Sequence, residues 1–104
     1  MEKTLAGQTV NVTEEGYLTD KSQWNKEIAV EIAKEVGIEE LTSRHWEVIE
    51  FLQKDYEETG KIPTIRRVKK VGEISTKDLY ELFPEGPLMK ASKIAGLSKP
   101  ASCV

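Results

Sequence analysis

The sequence holds one cysteine, Cys103, next to the final residue Val104. A thiolate is both a nucleophile and a sulfur acceptor, so this side chain is the first candidate for chemistry. A lone cysteine is commonly a small buried hydrophobe. The surrounding Leu97-Ser98-Lys99-Pro100-Ala101-Ser102-Cys103-Val104, however, has no periodic pattern and little to bury a thiol, and it reads as a mobile tail. Seven extended residues beyond Gly96 span at most about 23–25 Å, enough to enter another protein's channel. The Val104 α-carboxylate is a like charge beside the thiolate, offset weakly by Lys99 through solvent. The free thiol is therefore expected to be no more acidic than a model thiol, about 8.5.

Other candidates carry less chemistry. His45 has the side chain of a general base. No nucleophile is expected beside it unless the tail folds back, and a core-edge histidine is the plainer reading. Arg66, Arg67, Lys69 and Lys70 form a basic cluster. With the next helical segment they resemble a helix-turn-helix, which would imply nucleic-acid contact. That second segment carries Asp78 and Glu81, followed by Glu85, and would repel phosphates; a partner protein's anionic surface, or RNA held by that partner, is the alternative use. Glu14, Glu15, Glu57 and Glu58 read as turn and helix-end surface. One cysteine and one histidine cannot build a Cys/His zinc site. No glycine-rich phosphate loop, Ser/His/Asp arrangement or cofactor fingerprint is present, so no cofactor is expected.

These groups must be positioned by a small mainly α fold. Residues 3–19 read as a β-hairpin with its turn at Thr13-Glu14-Glu15-Gly16. Ile28, Ile32 and Val36 set a first helix over 25–36 closed by Gly37, with Trp24 sealing its start. Thr42 or Ser43 opens a second helix to Thr59, ended by Gly60, with Trp46, Ile49, Leu52, Gln53 and Tyr56 on a face wide enough for a central helix. Short helices follow over 65–71, 76–83 and 88–95, the fourth opened by Ser75 and Asp78, the fifth ended by Gly96.

The 104 residues fit one domain, expected at 1–96 with the tail at 97–104. A hydrophobic fraction of 38% and a charged fraction of 32% describe an ordinary globular chain. The net charge of −3 does not draw it to nucleic acid or acidic lipid. No apolar run approaches a membrane span, and the N-terminus lacks the pattern of a signal peptide, so a cytoplasmic location is expected.

Tyr80-Glu81-Leu82-Phe83-Pro84-Glu85-Gly86-Pro87, then Lys93-Ile94-Ala95-Gly96-Leu97-Ser98-Lys99-Pro100, then Cys103 before Val104, resembles the DsrC/TusE family. That family includes the gamma subunit of dissimilatory sulfite reductase and the TusE sulfur-relay proteins. Gly16-Tyr17-Leu18, Trp24, the His45-Trp46-Glu47-Val48 segment and the Pro63-x-x-Arg66 step extend the resemblance over nearly the whole chain. It implies an orthogonal bundle of about five helices with an N-terminal hairpin and a flexible arm. It also implies that Cys103 accepts sulfur as a persulfide, and that Lys99, Arg66 and Lys93 guide the arm or a partner.

Two departures stand out. Sulfite-reductase-type members carry a second cysteine eleven residues before the first, where this chain has Ser92, and Ser98 replaces a common proline. A hydroxyl cannot bridge sulfur atoms to Cys103, so one-thiol carriage is what remains. The expected function is a TusE-like sulfur carrier, at most a sulfurtransferase component, serving sulfur-donor and sulfur-acceptor proteins such as a tRNA thiolase. The alternatives are a partner of dissimilatory sulfite reductase and a DNA-binding, sulfur-responsive regulator.

Overall fold

The computed structural model describes residues 1–100. Four of its five helices open on a side-chain cap that satisfies an otherwise orphaned N–H. Asn25 accepts from the Ile28 N–H (2.9 Å) and starts α1, Lys26–Glu35. Thr42 starts α2, Ser43–Thr59, where the His45 ring takes the place glutamate usually fills in a capping box. Thr64 opens α3, Ile65–Lys70, and Ser75 opens α4, Thr76–Leu82. The fifth helix, α5, Pro87–Ile94, starts on Gly86 and Pro87, a proline at the first helical position, where its missing N–H costs nothing.

Two helices end in the same way. In α5 the Gly96 N–H donates to Lys93 O (3.2 Å) and the Leu97 N–H to Ser92 O (3.0 Å). In α1 the Gly37 and Ile38 N–H groups do the same to Lys34 O and Ala33 O. Both are Schellman ends, in which a glycine takes positive φ, here 92° at Gly37 and 75° at Gly96.

The hairpin lies earlier than the sequence suggests. β1, Glu2–Leu5, pairs antiparallel with β2, Gln8–Asn11, around a two-residue turn at Ala6-Gly7. Both turn residues have positive φ, 51° and 75°, as a primed hairpin turn requires. The Thr13–Gly16 turn also forms, but its return segment contributes a single bridge, Val12 to Leu18. Alternation of Leu5 and Val10 toward the core against polar neighbours fits either turn, which is why the sequence alone misplaces it. A 3-10 turn at Lys21–Gln23, capped by Asp20, then leads to α1.

α5 is the helix around which the others gather, since α1, α2 and α4 all pack on it. Pro87, Leu88, Ala91, Ser92 and Ile94 are buried. The wide apolar face of α2 suggests a central helix, but small and apolar residues on several sides of α5 let three helices approach α5 instead. Around it Ile28, Ile32, Val48, Ile49, Leu52, Leu79 and Phe83 complete one core with the hairpin residues. Among the described residues no helix is long and apolar enough to cross a membrane.

Candidate functional site

Cys103, the thiol that the sequence singles out, lies outside the described residues, as do Ala101, Ser102 and Val104. The structure describes the chain that leads to it. Of the expected arm, Leu97 is 3% exposed, Pro100 is buried, and Ser98 and Lys99 are exposed.

The end of α5 is held by side chains from distant parts of the chain. The Trp24 indole Nε1–H donates to the Ile94 carbonyl (2.8 Å), and the Gln53 amide donates to the Ala95 carbonyl (2.9 Å). Trp24 also lies against Gly96, where an added Cβ would meet the indole Cδ1 at 2.5 Å. Two hollows flank this segment. One, of about 260 Å³, lies among Lys21, Trp24, Gln53, Glu57 and residues 95–97. The other, of about 360 Å³, lies between Ser98-Lys99-Pro100 and the 60–64 loop.

Lys99 and Lys93 meet at the Thr13–Gly16 turn. Lys99 Nζ pairs with Glu15 at 2.8 Å, and Lys93 Nζ sits 5.6 Å from the Tyr17 ring centroid. Tyr17 is buried and its hydroxyl donates to Met89 O (3.3 Å). Burial, with Glu15 adding to it and Lys99 opposing it, raises its phenol above the ordinary value of 10.0. Arg66 lies apart, exposed on α3, and none of the described hydrogen bonds or ion pairs joins it to Lys93 or Lys99.

The basic cluster on α3 is smaller than the sequence suggests. Arg67 reaches back to α2 and holds the buried Asp55 with three contacts of 3.0, 3.0 and 2.7 Å. Asp55 raises the Arg67 pKa further, and this fork-to-carboxylate pair offsets the Arg67 charge while its side chain stays 42% exposed. Arg66, Lys69 and Lys70 are exposed as well. On α4, Asp78 faces Arg44 at 3.6 Å and Glu81 is exposed, so that helix presents carboxylates where a DNA-reading helix needs cations.

His45 has a structural task. It is 7% exposed, its Nδ1 lies 3.0 Å from the Thr42 N–H, and its Nε2 lies 2.9 Å from Leu82 O. With Nδ1 accepting and Nε2 donating, both ring nitrogens are occupied in joining α2 to α4, and Phe83 meets the ring edge-on at 5.1 Å. The histidine therefore acts as a core-edge cap rather than as a base. Among the described residues no group of three or more His, Cys, Asp or Glu could hold a metal.

Ser92 is fully buried on α5, and its Oγ is, among the described residues, the one buried side-chain polar atom without a hydrogen-bond partner.

Comparison with known proteins joins these observations. A family model described as "DsrC like protein" matches residues 4–104. The chain belongs to the DsrC-like family. The sulfurtransferase TusE of Salmonella typhimurium strain LT2 is 42% identical over 105 residues, covering 94% of this chain and 95% of that protein. The Escherichia coli K12 protein of the same name is also 42% identical with the same coverage. In the solution structure of Allochromatium vinosum DsrC, a chain 40% identical superposes with a TM-score of 0.81, covering all of both chains. The oxidized DsrC gamma subunit of dissimilatory sulfite reductase from Archaeoglobus fulgidus is 33% identical with a TM-score of 0.78, again over the full length of both.

Within the DsrC-like fold, Ser92 occupies a place where a thiol is easily buried and a hydroxyl is not. Cysteine behaves as a small hydrophobe, whereas a buried hydroxyl without a partner costs about 1–3 kcal/mol. Ser92→Ala is accordingly expected to stabilise the fold by about 1 kcal/mol, read as a higher urea midpoint at unchanged slope. A lower midpoint would show that the hydroxyl has a partner.

Proposed function

We propose that this DsrC-like chain is a single-thiol sulfur carrier that holds sulfur as a persulfide on Cys103 and passes it to a partner protein, TusE-like, in a relay toward tRNA 2-thiouridine. The observation that carries the reading is serine at position 92, which leaves Cys103 as the one thiol of a chain 42% identical to proteins named as sulfurtransferases. The Cys103 thiolate attacks the outer sulfur of a donor persulfide R–S–SH. A sulfur–sulfur bond forms at Cys103, the donor's bond breaks, and R–S⁻ leaves. An acceptor thiolate then attacks the outer sulfur and Cys103 leaves as thiolate. Neither step needs an oxidant or a cofactor. Lys93 and Lys99 at the arm's base, with Arg66 on α3, are the cations proposed to guide the arm or meet an acidic rim on the partner. The reading implies a cytoplasmic location, where thiols stay reduced.

A second reading is docking to dissimilatory sulfite reductase, favoured by the likeness to its gamma subunit. Cyanide separates the two, since it removes a persulfide's outer sulfur as thiocyanate and regenerates the thiol. After loading with polysulfide and desalting, the carrier should release about one equivalent of thiocyanate per chain, and none after Cys103 is alkylated. A chain that copurifies with sulfite reductase and loads no cyanide-labile sulfur would overturn the carrier reading in favour of the second. Salt-dependent, sequence-selective DNA binding by such a chain would revive the regulator.

A further inference from the structure

Residues 94–100, at the end of α5 and just beyond it, are tied down at more points than their sequence requires. Helix ends expose carbonyls that need donors, and water or the Schellman bonds usually suffice. Here the Ile94 and Ala95 carbonyls receive two further donors from far away in the chain, Trp24 Nε1 at 2.8 Å and Gln53 Nε2 at 2.9 Å. Trp24 closes over Gly96, leaving no room for a side chain. Leu97 is 3% exposed beside the same two residues. Farther on, Lys99 is paired to Glu15, and Pro100 is buried and lines a hollow of about 360 Å³ together with the 60–64 loop.

We propose that Trp24 and Gln53 are positioning residues for sulfur transfer: by clamping the Ile94 and Ala95 carbonyls they hold residues 94–100 as a pedestal and set the radius over which the Cys103 thiol is presented. This rests on Cys103 being the working thiol, but the pedestal can be tested apart from sulfur chemistry.

The consequence is geometric. From a fixed Pro100, the three residues to Cys103 reach at most about 10–11 Å; from Gly96, seven residues reach about 23–25 Å. With the clamp closed, the shorter reach bounds the volume open to the thiol, which raises its effective concentration for a docked acceptor within that reach. A partner whose receiving sulfur lies deeper than about 10–11 Å must first lift the pedestal, beginning at the weak, solvent-screened Lys99–Glu15 pair.

The single native cysteine makes the test direct. Glu50, exposed on α2, is changed to cysteine, and nitroxides on positions 50 and 103 report their distance distribution by pulsed electron resonance. Gln53→Met keeps the volume and removes the donor to Ala95 O. Trp24→Phe keeps a ring over Gly96 and removes the donor to Ile94 O. The distribution is expected to be narrow with Trp24 and Gln53 in place and to broaden roughly two-fold when both are changed, following the ratio of reaches. Alkylation of Cys103 by iodoacetamide should keep its rate in the same variants, because a small reagent needs no positioning. If the double variant fails to fold, each single variant carries the same expectation in part. An unchanged width in folded variants, or a distribution already broad before any change, would overturn the pedestal and leave the carrier reading standing. Loss of cyanide-labile sulfur with a narrow distribution would do the reverse.

Discussion

Cys103→Ala is expected to bring sulfur loading to background. No other side chain in the sequence can form a persulfide, since there is one cysteine and position 92 is serine. The loss should be complete rather than graded. A hydroxyl in place of the thiol is no substitute, so Cys103→Ser should behave identically, which separates loss of sulfur chemistry from loss of a polar side chain. Among the described residues the core is built from Phe83, Ile28, Ile32, Leu52 and Leu88 with others, and with Cys103 read as part of an arm the urea midpoint is expected not to move. Labelled sulfur retained on a desalted Cys103→Ala chain would mean that some other group carries it.

The second large effect falls on stability. Gly96 has φ 75°, and an added Cβ would lie 2.5 Å from Trp24 Cδ1 and 2.8 Å from Cγ. Gly60 has nearly the same φ, 76°, with nothing within 4 Å of the added atom. Gly60→Ala should therefore cost only the backbone strain, about 1 kcal/mol. Gly96→Ala must also displace the indole, losing its hydrogen bond to Ile94 O and overpacking the helix end, for about 3 kcal/mol in all. Urea denaturation of the pair measures the difference, about 2 kcal/mol, that belongs to Trp24. Equal midpoints would mean that the indole moves aside freely and that the α5 end is not clamped.

Much of this fold is legible in the sequence because its helices are marked locally. Asn25, Thr42, Thr64 and Ser75 stand at the helix starts, and Gly37, Gly60 and Gly96 just past helix ends. The hairpin is misplaced because Ala6-Gly7 does not carry the usual Asn-Gly or Asp-Gly signal, while Thr13-Glu14-Glu15-Gly16 looks like a turn and is one. Asp55 is the clearest case of what spacing hides. It lies on α2 one turn beyond Phe51 and Leu52 with nothing to mark it as buried, and its partner Arg67 is twelve residues away on another helix. The sequence therefore groups Arg67 with Arg66, Lys69 and Lys70, and only the packing of α3 against α2 shows that its charge is offset by Asp55. Gln53 is visible as part of an apolar face, but its task at Ala95 depends on the chain returning forty-two residues later. Likewise, Trp24 reads as a seal for α1 and in fact also closes the end of α5. Cys103 and Ser92 are the reverse case, in which residue identity alone prompts the proposed chemistry.

Mass spectrometry of the C-terminal peptide tests the central claim most directly. The protein is loaded with a persulfide donor, freed of excess donor and mixed with a thiol-bearing acceptor protein. The peptide containing Cys103 should first gain the mass of one sulfur atom and then lose it as the acceptor gains the same mass. A Cys103 peptide that never gains that mass, or that keeps it in the presence of every protein with which the chain copurifies, would contradict the account.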